Sequence, residues 1–119
     1  LEVEFAKFLD RAEDVEAFTK NEKLGFFMEY ISFEGGLKNY RPDFIAKTTE
    51  GEFYILETKG EVDVNVPRKD ERAKIWCSDV SQITGDEWHY ARINQQLFEA
   101  HYCSSLSELL QASLSDLQS

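Results

Sequence analysis

Three ionisable residues, Asp43, Glu57 and Lys59, stand at spacings that could bring them together on two neighbouring strands. The segments that carry them are rich in strand-forming residues and are separated by Thr49-Glu50-Gly51, which favours a tight turn. If the turn is centred near Glu50, residues whose numbers sum to about 100 lie opposite each other, so Asp43 faces Glu57. Lys59 follows Glu57 by two positions, and we expect its side chain on the same face of the sheet.

Two carboxylates on adjacent strands, with a lysine beside them, suit a hard divalent cation. Mg²⁺ binds one or two protein carboxylates and keeps several waters, which leaves coordination positions for a phosphate group, and Mn²⁺ could substitute for it. A bound metal activates a water and neutralises charge on phosphoryl oxygens, while Lys59 could orient that water or stabilise the transition state. The surrounding residues are apolar, and buried charges are costly unless they pair or hold a metal. The set therefore predicts metal-dependent phosphodiester hydrolysis.

The elements that must position these residues follow from the hydrophobic pattern. Apolar residues at three- and four-residue spacing predict helices, and clusters of β-branched and aromatic residues predict strands. The predicted order is a helix (1–15), three strands (24–33, 40–47 and 52–59), a helix (67–80), a strand (88–93) and two helices (94–102 and 106–117). This order predicts an α/β fold with a mixed four-stranded sheet flanked by helices.

Pro42-Asp43, followed after thirteen residues by Glu57-Thr58-Lys59, resembles the signature of the PD-(D/E)xK nuclease superfamily. The core of that family has the order helix, three-strand meander, helix and strand, which matches the predicted order over about residues 1–96. More narrowly, the chain resembles the C-terminal endonuclease domain of type III restriction enzyme Res subunits and related helicase-linked nucleases. The segments that carry this narrower resemblance are Glu4-Phe5-Ala6 with Leu9, Tyr40-Arg41-Pro42-Asp43-Phe44, Glu57-Thr58-Lys59-Gly60, and Lys74 with Trp76-Cys77.

The resemblance implies a role for each matching residue. Asp43 and Glu57 would be metal ligands, and Lys59 would serve the nucleophilic water. The main-chain carbonyl of Thr58 would be a third ligand, with the Thr58 side chain on the opposite face of the sheet. Glu4 matches an acidic residue on the first helix that often completes such sites.

The resemblance also implies a restriction-endonuclease-like core, a DNA substrate and a larger context. The chain would be the cleavage module of a restriction or helicase-type enzyme, acting with a motor or DNA-binding part of the same polypeptide, and it could dimerise to cut two strands. Lys74, on the helix after the signature, is a candidate basic group of the site.

Composition limits these expectations. The 119 residues suit one domain, with a core over about 1–96 and C-terminal helices over 94–117. The net charge of −10 opposes contact with a phosphate backbone, so we expect the isolated chain to bind DNA weakly. There is no stretch of about 20 apolar residues, and two cysteines suggest reduced thiols, so we expect a cytoplasmic protein that does not enter a membrane. Because residue 1 is Leu, we expect a domain excised from a longer protein.

Other interpretations remain open at this point. Asp43, Glu57 and Lys59 could form a plain cross-strand salt bridge. The chain could also be a catalytically inactive nuclease-like module that serves assembly or nucleic-acid binding. A nucleophile–base pair of Cys77 and His89 lacks a third, orienting group, and the cysteines and histidines lack the close paired spacing of structural zinc ligands.

Overall fold

The computed structural model describes residues 2–58, 63–100 and 102–118, with side chains described as far as residue 113. Within these ranges the chain forms five helices and six strands. In chain order they are α1 (Glu2–Arg11), β1 (Val15–Lys20), α2 (Asn21–Leu24), β2 (Met28–Ile31), β3 (Leu37–Tyr40), β4 (Phe44–Thr48), β5 (Phe53–Glu57), α3 (Val66–Thr84), β6 (Trp88–Arg92), α4 (Gln95–Ala100) and α5 (Leu106–Gln118).

A four-stranded sheet with the order β1-β4-β5-β6 separates two layers of helices. Strand β4 is antiparallel to both β1 and β5, whereas β5 and β6 are parallel. Parallel neighbours need a crossover connection, and the 19-residue helix α3 lies between them in the chain. The predicted α/β class with a mixed four-stranded sheet is therefore confirmed.

The first strand of that sheet differs from the prediction. The predicted strand over 24–33 is not part of the main sheet, because β2 pairs with β3 in a separate two-stranded sheet. Residues Asn21–Leu24 form one helical turn, which ends at Gly25 with a left-handed φ of 68°. The strand that joins the main sheet is β1, in a segment where helix α1 was expected to end. Aromatic and β-branched residues mark a strand but do not specify its partner, which explains the error.

The β4–β5 hairpin has the predicted register. The paired residues are Phe44 with Leu56, Ile45 with Ile55, Ala46 with Tyr54, and Lys47 with Phe53, so the numbers of each pair sum to 100. The turn closes through hydrogen bonds from the Thr48 N–H to the Glu52 carbonyl (2.8 Å) and from the Gly51 N–H to the Thr48 carbonyl (3.0 Å). Gly51 has a φ of 89°, a conformation that glycine adopts without steric cost.

Each face of the main sheet has its own apolar core. The residues buried on the side of α1 and α5 are Phe5, Phe8, Leu9, Ala12, Phe44, Ala46, Leu56, Ile93, Cys103, Leu106 and Leu109. Those buried on the side of α3 and the β2–β3 hairpin are Met28, Tyr30, Tyr40, Ile55, Ala73 and Cys77. Successive residues of a strand point to opposite faces, so Glu57 shares the face of Ile55, towards α3. No helix in the described ranges has the length and apolar character needed to cross a membrane.

Candidate functional site

The backbone before β4 is held in place by the buried Asn21, which starts α2 and is 3% exposed. Its main-chain N–H donates to the carbonyl of Asp43 (2.8 Å), and its side-chain amide donates to the carbonyl of Pro42 (2.9 Å). The same amide also donates to the carbonyl of Phe26, whose N–H donates back to Asn21 Oδ1. Asn21 therefore fixes the position from which the Asp43 side chain leaves the backbone.

The Asp43 carboxylate lies against the end of β5. Both the main-chain N–H and the hydroxyl of Thr58 donate to Asp43 Oδ2, at 2.9 and 2.8 Å. The expectation that the Thr58 side chain points to the opposite face of the sheet is therefore wrong. Strand β5 ends at Glu57, so strict alternation no longer applies one residue later, and Thr58, which is fully buried, turns towards Asp43.

Asp43 and Glu57 form a hydrogen-bonded carboxyl pair, as the hairpin register predicts. Burial, together with the neighbouring Asp43 carboxylate, raises the pKa of Glu57 to about 8. Burial also opposes ionisation of Asp43, but hydrogen bonds from Glu57 and Thr58 outweigh it and lower the pKa of Asp43. Two carboxylates this close do not both ionise readily, so near neutral pH the pair holds one proton, which resides mainly on Glu57.

The Glu57 carboxyl opens onto a cavity of about 280 Å³. Its lining residues are Asn39, Tyr40, Arg41, Glu57, Asp63, Val66, Lys69 and Arg92. A second cavity of about 220 Å³, which shares Arg41 with the first, is lined by Asp43 together with Glu2 and Lys20. Glu57 is 2% exposed, and its Oε1 atom has no hydrogen-bond partner among the described residues. The carboxyl pair therefore lies between the two cavities, and one of its oxygens, Glu57 Oε1, has no hydrogen-bond partner among the described residues.

A chain of hydrogen bonds leads from the pair to α3. The Tyr40 hydroxyl, whose polar contact lowers the pKa of Glu57, lies 2.9 Å from the Tyr90 hydroxyl. The Tyr90 hydroxyl donates to Asp70 Oδ1 (2.7 Å), and Arg92 Nε donates to the same atom (3.0 Å). Burial and the adjacent negative charge raise the pKa values of both tyrosines, so the hydroxyls keep their protons. These contacts fix the wall of the larger cavity.

The structure brings some of the predicted residues together and leaves others apart. Lys59 lies outside the described residues. Glu4 is exposed and pairs with Lys7 (3.7 Å) on the surface of α1. The acidic residue of α1 that reaches Asp43 is Glu2, whose hydrogen bond contributes to the lowered pKa of Asp43. Glu2 precedes the buried Phe5 by three residues and is partly buried, whereas Glu4 lies at the other edge of the buried stripe and is exposed.

The basic residue that α3 contributes to the cavity also differs from the expectation. Lys74 is exposed, whereas Lys69 lines the larger cavity and forms an ion pair with Asp63 (3.8 Å). The buried positions of α3 are Ala73 and Cys77, and the residues three and four positions before Ala73 share its face of the helix. Lys69 and Asp70 are on this face, and Lys74 is not.

Sequence reasoning also missed Asn21, Tyr40 and Arg92. Arg92 lies opposite Glu57 in the parallel register of β5 and β6, but no local turn encodes that register, so the sequence did not indicate Arg92. Asp70 precedes Ala73 and Cys77 at helical spacing, and an acidic residue on a buried stripe could have indicated a polar network.

Comparison of the chain with models of protein families, with curated proteins and with solved structures finds no match.

Proposed function

We propose that this chain is a metal-dependent nuclease domain that hydrolyses DNA phosphodiester bonds with Mg²⁺. In this proposal it has a restriction-endonuclease-like core and is the cleavage module of a larger restriction or helicase-type enzyme. The observation that carries the proposal is the carboxyl pair formed by the half-buried Asp43 and the buried Glu57, at the point where β4 begins and β5 ends. A pair that shares a proton in a buried position is costly, and a cation between the oxygens would remove that cost.

The order of elements supports the same proposal. In the main sheet and its helices the order is α1, β1, β4, β5, α3, β6, which is the αβββαβ order of the PD-(D/E)xK core. Helix α2 and the β2–β3 hairpin are an insertion between the first two strands of that sheet. Asp43 lies just before the second strand of that sheet and Glu57 ends the third, and this proximity supports the proposal.

The residues at the site fit a hard divalent cation. Oxygen ligands from one or two carboxylates are what Mg²⁺ requires, and Glu57 offers an oxygen without a partner in the described chain. Asp43 and Glu57 would hold the ion, and the Thr58 carbonyl remains a proposed third ligand. When bound, Mg²⁺ or Mn²⁺ supplies an activated water and neutralises charge on the phosphoryl oxygens.

The remaining roles belong to side chains of the larger cavity. Arg41 and Arg92 line it with guanidinium groups that suit phosphate oxygens. Lys69 adds a third cation at the same wall. Glu57 must release its proton before it binds a cation, and the Tyr40 hydroxyl and the Arg92 charge favour that release. Lys59, two residues beyond Glu57, is proposed to orient the attacking water.

The second candidate function is an inactive nuclease-like module. It is favoured by the Asp43 carboxylate, which accepts two hydrogen bonds from Thr58 and one from Glu57. A carboxylate that is satisfied internally, as that of Asp43 is, can be a purely structural feature, and the charge of −10 weakens contact with DNA.

Cleavage of supercoiled plasmid with Mg²⁺ or Mn²⁺ distinguishes the two functions. We expect the unmodified chain to cut slowly, because non-specific DNA affinity at physiological salt is about 10⁻⁴–10⁻⁶ M at best. Asp43→Asn and Glu57→Gln should each reduce the rate by about 100-fold or more. Glu52→Gln, the same change at the other end of β5, should leave it unaltered. A chain that binds neither ion and cuts no DNA would establish the inactive module.

A further inference from the structure

A second cluster of ligating side chains stands at the opposite end of the parallel strands, away from Asp43. Glu52 immediately precedes β5, Glu87 precedes β6, and His89 is the second residue of β6. His89 Nε2 lies 3.2 Å from Glu52 Oε2 and 3.5 Å from Glu87 Oε2. One ligand atom from each residue can be chosen so that all three lie within 4.8 Å of one another.

The imidazole of His89 can offer Nε2 as a metal ligand. In a neutral histidine, Nε2 has either one proton or one lone pair, so it satisfies at most one carboxylate oxygen well. Here two carboxylate oxygens approach the same nitrogen. A cation between the three atoms would satisfy the lone pairs of all of them. Metal–ligand distances of about 2.0–2.2 Å in tetrahedral geometry give ligand–ligand separations of about 3.3–3.6 Å, close to the two distances from His89 Nε2. The two carboxylate oxygens lie within 4.8 Å of each other and would move closer around an ion.

Acidic side chains are concentrated at this end of the sheet. The carboxylates of Glu52, Asp14, Glu87 and Glu50 all lie close enough to the Tyr54 side chain to act on it through their charges. Such a concentration of negative charge attracts divalent cations.

The backbone holds the three residues in place without a metal. The Phe53 N–H donates to the Glu87 carbonyl (2.8 Å), which ties the start of β6 to β5. Glu52 is fixed to Thr48 through its own N–H and carbonyl. The His89 ring packs against the Tyr54 ring, with 5.0 Å between centroids. Preorganised ligands lose little conformational entropy when an ion binds.

We propose that Glu52, Glu87 and His89 form a binding site for a divalent transition metal of the Zn²⁺ class. One imidazole with two carboxylates suits Zn²⁺, Co²⁺ or Ni²⁺, whereas Mg²⁺ prefers oxygen ligands alone. The Glu87 side chain is 70% exposed, so the fourth position faces water. The ion would link the turn before β5 to the start of β6 and would stabilise the folded chain. This site is independent of the nuclease proposal.

The test is a titration of the whole chain with Co²⁺ and with Zn²⁺. We expect one equivalent of Co²⁺ to give the intense visible absorption of a tetrahedral site, and we expect Zn²⁺ to displace it. Zn²⁺ should also raise the melting temperature, because it binds only the folded state. His89→Gln and Glu87→Gln should each weaken binding by about tenfold or more, since even groups that only orient a ligand contribute about 10–100-fold.

Three control variants separate this site from other causes. Glu50→Gln removes one of the four nearby charges without removing a ligand, and His101→Gln removes the other histidine of the chain; both should bind as the unmodified chain does. Asp43→Asn should also bind Zn²⁺ normally, so failure of the nuclease proposal would not affect this result. The proposal is overturned if no ion binds, if Glu87→Gln leaves the affinity unchanged, or if Glu50→Gln weakens it as much as Glu87→Gln does.

Discussion

The two ends of strand β5 both carry acidic side chains, but their surroundings are opposite. At the carboxyl end, Glu57 is 2% exposed and contacts the half-buried Asp43. At the amino end, the Glu52 side chain is 30% exposed and the Glu87 side chain 70% exposed. Water solvates the second group, whereas the first must neutralise its charge within the protein.

This difference shows what burial adds to a cluster of carboxylates. At the amino end the acids are solvated, create a negative potential and can attract an ion. At the carboxyl end the two acids divide one proton unequally, because burial favours the neutral form of Glu57 while hydrogen bonds favour the charged form of Asp43. A pair of carboxyl groups with separated pKa values is typical of catalytic sites.

The largest expected effect is a pH dependence of stability that only the buried end produces. The pKa of Glu57 is about 8 in the folded chain, against a reference value of 4.5, so the folded state holds a proton that the unfolded state releases. The free energy of unfolding should therefore fall by a few kcal/mol at most as the pH rises from about 4.5 to 8. This amount follows from the difference between the folded and unfolded pKa values of Glu57.

Glu57→Gln should remove this fall, because glutamine mimics the neutral carboxyl at every pH, and Glu52→Gln should keep it. Denaturant unfolding at a series of pH values measures both slopes. Equal slopes in the unmodified chain and in Glu57→Gln would show that Glu57 is not held protonated.

A smaller effect on stability is expected when the tyrosine near either end of strand β5 is replaced. Tyr40→Phe removes the hydroxyl that contacts Tyr90 (2.9 Å), and it should cost about 1–2 kcal/mol of stability. It should also raise the pKa of Glu57 further, because the Tyr40 contact favours the charged form. Tyr54→Phe, at the solvated end, should cost about 0.5 kcal/mol or less. Thermal unfolding of both variants tests this contrast, and equal losses would count against the hydrogen-bond chain.

The smallest expected effect is a difference in Mn²⁺ affinity between substitutions of Glu2 and of Glu4, two acids of the same helix. Glu2 contributes to the environment of Asp43, so Glu2→Gln should weaken Mn²⁺ binding about two- to fivefold, in line with a surface interaction of up to about 1 kcal/mol. Glu4 pairs with Lys7 in solvent, and Glu4→Gln should leave Mn²⁺ affinity unchanged. Calorimetry on the two variants decides which acid of α1 belongs to the site, and a loss in Glu4→Gln alone would restore the original assignment.

The parts of the fold that depend on local sequence could be predicted, and the parts that depend on distant partners could not. The β4–β5 register follows from one short turn, and it correctly sets Asp43 opposite Glu57. Strand β1 was missed because its pairing with β4 is encoded by no turn between them.

The same distinction applies within the site. Asp43 and Glu57 were predicted because their hairpin is local. Asn21 and Arg92 reach the site from separate elements, and polar residues of this kind have no pattern in the sequence that distinguishes them from surface residues. Glu4 was proposed from the resemblance, and the sequence alone does not indicate which edge of the buried helix stripe lies next to Asp43.

The most direct test of the central claim is the number of protons released when Mg²⁺ binds, since Mg²⁺ prefers oxygen ligands alone and should not occupy the site that contains His89. Calorimetric titrations at pH 6.5 in buffers of different ionisation enthalpy give this number. If Asp43 and Glu57 hold the metal, close to one proton should leave per ion bound, because Glu57 is protonated at this pH and must ionise to become a ligand. Glu52→Gln should release the same number, and Asp43→Asn should bind little metal. Absence of binding by the unmodified chain, or binding without proton release, would contradict the account.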